Sequence, residues 1–134
     1  MDRCAVNPPA VVAPKDRYSQ AVRVTLAGAD LLFITGQQAW DRDGRLVGPG
    51  DMTAQSAHVF GLVRAIVEAA GGTLADVVKV TCFVTDLRRW PEAAAVRNRC
   101  FPDPPPASTV VQVSGMTDPG ALIEVEAIAV IPHR

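Results

Sequence analysis

Apolar and polar positions along this chain change period several times, and each change marks an element. "AVRVTL" (21–26) alternates, "LLFITG" (31–36) is a short apolar run, and the intervening "AGAD" predicts a hairpin. Asp43-Gly44 marks a further turn. From Asp51 to Ala70 the spacing turns helical: Val59, Leu62, Val63, Ile66 and Ala70 form one stripe, with Arg64 and Glu68 opposite. Asp51 or Thr53 suits the start of that helix, and Gly71-Gly72 suits its end. "DVVKVTCFVTDL" (76–87) returns to a period of two. Its Val78, Val80, Cys82 and Val84 are expected against the helix, with Lys79, Thr81, Phe83 and Thr85 on a mixed face. A second helix is predicted to begin near Pro91 and to end before "PDPPP" (102–106). Two strands, 108–113 and 122–130, close the chain, and the Pro- and Ala-rich residues 1–15 predict an extended arm or loose strand. The order β-β-α-β-α-β-β over one domain, residues 1–134, is explained most simply by an α+β fold with both helices on one face of a single sheet.

The last strand carries two carboxylates on one face. Ile123, Val125, Ala127 and Ala129 form the expected core side, which leaves Leu122, Glu124, Glu126 and Ile128 together on the other. By pattern alone a solvated sheet surface is the simpler account of that mixed face. A subunit interface containing a polar cleft is the alternative.

Composition narrows the chemistry. Hydrophobic residues make up 49% and charged residues 20%, which is the profile of a globular chain. A net charge of -1 and 5% aromatics argue against nucleic acid as a partner. No apolar run reaches the length of a membrane span, and the N-terminus lacks the apolar core of a signal peptide, so a cytoplasmic setting is expected. Cys4, Cys82 and Cys100 form no CxxC pair, and His58 and His133 are far apart, so no metal site or disulfide framework is expected. Cys82 reads as core, Cys100 has no partner histidine placed by sequence, and neither histidine is assigned chemistry.

Several stretches together resemble the Rid family, also called YjgF or endoribonuclease L-PSP proteins. They are "APKDRYSQAV" (13–22), "LLFITGQ" (31–37), "IVEAAGGTLADVVKVTCFVTDL" (66–87), "PPAST" (105–109) and "IEVEAIAV" (123–130). The resemblance implies a chorismate-mutase-like sheet backed by two helices, a homotrimer, and three small-molecule clefts between subunits, with no cofactor. It implies hydrolysis of imines or enamines, with Glu124 positioning or activating water. Tyr18 and Trp90 would line the cleft, the Thr35-Gly36 turn would supply backbone donors, and Ser108 with Thr109 would face the substrate.

This chain departs from the family pattern at the site itself. Ser108 stands where an arginine usually grips the substrate carboxylate, Asp16-Arg17 replaces Gly-Pro before the tyrosine, and Ala94 replaces an asparagine. A serine hydroxyl offers one neutral donor where a guanidinium makes a bidentate, charge-assisted bond. That loss costs about 2–5 kcal/mol in a desolvated site. Ordinary 2-imino acids are therefore not the expected substrates. Arg17 and Arg97 could substitute, although each reads more simply as a surface charge. Glu126 reads as structural, pairing with Lys79 across the sheet. The leading expectation is a Rid-type enzyme of altered specificity. A non-catalytic small-molecule binder or regulator is the alternative, and an endoribonuclease fits the net charge of -1 less well.

Overall fold

The alternating stretches pair into one mixed sheet in the computed structural model, which describes residues 1–134. Its strands are β1 (Asp2–Val6), β2 (Ala21–Thr25), β3 (Ala29–Gln37), β4 (Val77–Val84), β5 (Ala107–Gln112) and β6 (Ile123–Pro132). Their spatial order is β1-β2-β3-β6-β4-β5, with β4 and β5 parallel and every other pair antiparallel. Helix α1 (Met52–Ala69) follows β3, and α2 (Trp90–Cys100) links β4 to β5.

Local chemistry explains where these elements start and stop. The β2–β3 hairpin turns through Gly28, whose φ of 89° is open to glycine at no steric cost. Asp51 caps α1 by accepting from the Ala54 amide. After α1 the chain reverses at Gly71, also at φ 89°, and Thr73 and Asp76 form a reciprocal capping box that leads into β4. Pro91 sits in the first turn of α2, where its missing N–H leaves no bond unmade.

The helices cover one face of the sheet. Val59, Val63, Ile66 and Val67 of α1 are fully buried with Leu32 of β3, Val80, Cys82 and Val84 of β4, and Ile123, Val125 and Ala129 of β6. Each such Val, Leu or Ile contributes about 1.5–3 kcal/mol through burial. Phe60 and Phe101 meet edge to face, with centroids 5.8 Å apart, and join the end of α2 to α1. The opposite face has no helix and exposes Phe33 and Val111.

Two expectations need correction. Of the extended arm or loose strand expected over residues 1–15, a strand forms at residues 2–6 and extends the sheet beyond β2, so the element order is corrected to β-β-β-α-β-α-β-β. The next residues are also docked, because Asn7 Oδ1 accepts from the Gln20 amide and Val11 is buried. In β4, Val78 does not join the core but is 46% exposed, while Val77 is buried. The ladder to β6 slips between Val77 and Lys79, and this bulge leaves Val78 out of register.

Candidate active site

Glu124 lies on the uncovered face of β6, opposite Phe83 of β4. Its neighbour β3 is irregular at that level, where pairing with β6 breaks between Ile34 and Gln37 and leaves Thr35-Gly36 as a bulge. The Glu124 carboxylate rests over Gly36, where any Cβ would collide with Oε2. Gln38, a buried side chain just beyond β3, donates from Nε2 to Glu124 Oε1 at 2.8 Å and to Thr117 Oγ at 2.7 Å. Its own Oε1 accepts from the Asp118 amide at 3.1 Å. One amide therefore fixes the carboxylate and the loop before β6 together, and Oε2 keeps no hydrogen-bond partner within the chain.

That loop is braced from several sides. Asp118 accepts the Trp40 indole N–H at 2.9 Å and the Gly120 amide, and these bonds hold its carboxyl below the usual carboxylate range. Gln55 of α1, fully buried, donates to the carbonyls of Gly48 and Gly120 and accepts from the Leu122 amide. His58 Nε2 contacts the Trp40 carbonyl at 2.7 Å. The Lys15 ammonium sits 3.5 Å from the centre of the Trp40 ring.

Two hollows flank Thr117. One, of about 450 Å³, is lined by Glu124, Phe83, Val113 and Met116. The other, of about 520 Å³, is lined by Tyr18, Lys15, Trp40 and Asp118. Tyr18 is 40% exposed, and its hydroxyl oxygen accepts from the Lys15 amide at 3.3 Å. Tyr18 and Glu124 thus border adjoining hollows.

Thr35 is placed differently from the expected donor turn. It belongs to β3, its amide donates to the Gln20 carbonyl at 2.9 Å, and its hydroxyl donates to the Ser19 carbonyl at 2.7 Å. Both donors brace the segment that carries Tyr18. Gly36 serves through its missing side chain. Gln37 and Gln20 extend the bracing inward: Gln37 Nε2 donates to Gln20 Oε1 and to the Thr35 carbonyl, and Gln20 Nε2 donates to the Val12 carbonyl.

The remaining predicted residues lie elsewhere in the chain. Ser108 pairs with the buried Val80 and faces the helix side, so it does not share a face with Glu124. Its oxygen accepts from Arg97 Nη1 of α2 at 3.0 Å, and the same guanidinium lies 5.2 Å from the Trp90 ring centre. Thr109 points to the other face, where its hydroxyl takes a bond from Lys79. Lys79 therefore pairs with Thr109 rather than with Glu126, which is exposed beside Thr81. Arg17 is exposed.

Neither internal thiol is poised as a nucleophile. Burial pushes the Cys82 thiol up to about 11 and raises that of Cys100 as well. No group of three or more His, Cys, Asp or Glu side chains is arranged to hold a metal, and no helix is long and apolar enough to cross a membrane.

Sequence reasoning missed Gln38 and Gln55. The available signal was the polar pair Gln37-Gln38 directly after an apolar run, where burial forces each amide to find partners.

Known proteins share this architecture. Residues 9–131 match the family model described as Endoribonuclease L-PSP. RidA from an Antarctic Psychrobacter species is 32% identical, with a TM-score of 0.84 over 96% of this chain and 99% of its own. A Thermotoga maritima protein described as a candidate endoribonuclease is 34% identical, with a TM-score of 0.89 over 99% of this chain and all of its own (100%). TdcF of E. coli, crystallised with bound serine, is 28% identical, with a TM-score of 0.82 over 95% of this chain and 98% of its own.

Proposed function

This chain belongs to the endoribonuclease L-PSP, or Rid, family, and from that premise we propose that it processes an imine, enamine or related reactive intermediate, with Glu124 moving the proton. The observation that carries this reading is the half-buried Glu124 carboxylate: Gln38 holds Oε1, and Oε2 keeps no partner within the chain. In the hydrolytic form, water oxygen bonds to the carbon of the C=N group while Glu124 Oε2 takes the water's proton. That proton passes to nitrogen; the new hydroxyl then gives up its own proton to Glu124, which delivers it to the same nitrogen as the C–N bond breaks, so that an amine or ammonia leaves and a carbonyl remains. General acid–base assistance of this kind contributes roughly 10²–10⁴-fold to a rate.

The cleft in this proposal lies between subunits of a homotrimer. The uncovered sheet face, with Phe33 45% exposed and Val111 39% exposed, supplies an apolar surface for association. Trp90 and Ser108 stand on the helix side of the chain that carries them, so a neighbouring protomer's Glu124 is their natural complement. Ser108 gives the cleft a neutral donor where the family pattern has an arginine, so specificity is set by other side chains. Serine in the TdcF crystal supports a small polar ligand, whether turned over or merely bound. Net charge of -1 weighs against RNA.

The test is turnover of 2-iminopropanoate and a panel of imines and enamines generated in situ. An active wild type together with an inactive, still trimeric Glu124→Gln supports the proposal. A trimer that binds small ligands but accelerates none of the panel moves the non-catalytic reading ahead.

A further inference from the structure

The hollow beside Tyr18, of about 520 Å³, already receives a cation, and that cation belongs to the chain itself. The Lys15 ammonium lies 3.5 Å from the centre of the Trp40 ring, well inside the reach of a cation–π contact, about 6 Å. Asp16 and Asp118 line the same hollow, yet Lys15 makes an ion pair with neither. Ring and cation are held very differently. The indole N–H is bonded to Asp118 at 2.9 Å, and Asp118 is anchored in turn by the Gly120 amide and by Gln38 Oε1. Lys15 is exposed, and its ammonium sits at the end of a flexible stem. The ring is therefore fixed, and its present occupant is removable.

The lining decides which charge a ligand should carry. Once Lys15 swings away, the hollow keeps the Trp40 and Tyr18 rings and two carboxylates, with no positive group of its own. An anion would be met by Lys15 alone and repelled by both carboxylates. An organic ammonium gains from the ring face and from the negative surplus together. We infer that this hollow is a subsite for an organic ammonium group, with Lys15 as a tethered occupant that the ligand displaces. Thr117 borders this hollow and the Glu124 hollow alike. Under the proposed function, on which this last step rests, the substrate is then an imine or enamine that carries a second, positively charged nitrogen.

The test is a titration with butylammonium at constant ionic strength, read from the Trp40 indole N–H resonance, which Trp90→Phe distinguishes from that of Trp90. A saturable shift is expected, with a Kd on the order of 10 mM for so small a probe. 1-Butanol, of similar shape but uncharged, is expected to bind at least a few-fold more weakly, and butyrate more weakly still. Lys15→Ala vacates the ring and is expected to tighten butylammonium about two- to five-fold. Asp118→Asn is expected to weaken it several-fold, and Trp40→Leu, followed through the Thr117 amide, to remove it. Melting temperatures show whether these variants are folded, and Lys15→Ala, at an exposed position, decides the matter if they are not. Butanol binding as well as butylammonium, or Lys15→Ala weakening butylammonium, would overturn the inference. So would butyrate binding best and being lost in Lys15→Ala, which would make this an anion site held by Lys15. Ammonium binding without turnover of any imine would sink only the catalytic reading, and turnover without ammonium binding would sink only the subsite.

Discussion

The Glu124 pocket and the Arg97–Ser108 pair sit at different parts of one sheet and are held in different ways. Glu124 stands on β6, which has strands on both sides, and its partner Gln38 is 3% exposed and bonded to two further groups in the loop before β6. Arg97 reaches from a helix to Ser108 on β5, an edge strand, and its hydrogen-bond partners are exposed. A proton-handling group gains from the first setting, because its geometry then depends on buried bonds that are costly to break. A selectivity group tolerates the second, because it can be exchanged without disturbing the core. Under the proposed function, the proton-handling carboxylate sits in the buried frame, and the edge strand carrying Ser108 can vary without disturbing it.

Substitutions test that division, and the largest effect belongs to the carboxylate. Glu124→Gln preserves size and a hydrogen bond but cannot take the proton, so kcat is expected to fall on the order of 10²–10⁴-fold. The melting temperature and the oligomer should be unchanged; retained turnover would end the assignment. Gly36→Ala comes next. Its methyl group would meet Oε2, Cδ and Cγ of the Glu124 side chain, so the carboxylate should be pushed off its bond to Gln38 with a modest loss of stability and a substantial loss of kcat. If Gly36→Ala instead unfolds the protein, the glycine serves the backbone rather than the site.

Gln38→Ala should affect both properties, because it releases Glu124 and strands the loop donor at Asp118. A stability loss of about 1–3 kcal/mol is expected from denaturant titration, with a smaller drop in kcat than for Glu124→Gln. Ser108→Arg should do less. The space near Ser108 already holds the Arg97 guanidinium, so a second one there crowds it. The single variant is expected to change KM for carboxylate substrates only modestly, whereas Ser108→Arg on an Arg97→Gln background, with that space cleared, should lower KM further. A large gain from Ser108→Arg by itself would show that Arg97 was not filling that space.

The smallest effect concerns acid. The Trp40 indole bond, followed by the Gly120 amide, lowers the Asp118 carboxyl below its ordinary 3.8 in the folded chain. A lowered folded value means that the stabilisation is complete above the ordinary value and is lost as pH falls through the lowered one. Fluorescence of Trp40 in a Trp90→Phe background should report the loop's release over that acid range. An identical acid limb in Asp118→Asn would remove Asp118 from the account.

Much of this architecture was legible in residue order, and the limits were physical. Period two placed Glu124 on the open face and Ile123, Val125, Ala127 and Ala129 in the core, because alternation is a local property of a strand. The run Val77-Val78 is apolar on both parities, so nothing local says that a bulge turns Val78 outward. The bulge at Thr35-Gly36 is likewise set by pairing with β6, almost a hundred residues later. Tyr18, Trp90 and Ser108 could be singled out by resemblance, but their neighbours could not. Gln38 meets Glu124 and Arg97 meets Ser108 through long side chains crossing between elements, and such contacts leave no periodic trace.

Gln20, Gln37, Gln38 and Gln55 are all buried, and together they tie β2, β3, α1 and the loop before β6 into one frame. A carboxamide neither gains nor loses a proton across the range in which enzymes work. The frame is thus electrically silent: acidifying or alkalising the solvent alters the charges it carries without altering the carrier. Above the acid range in which Asp118 would release the loop, these four amides would add no titration of their own to any pH profile of this protein.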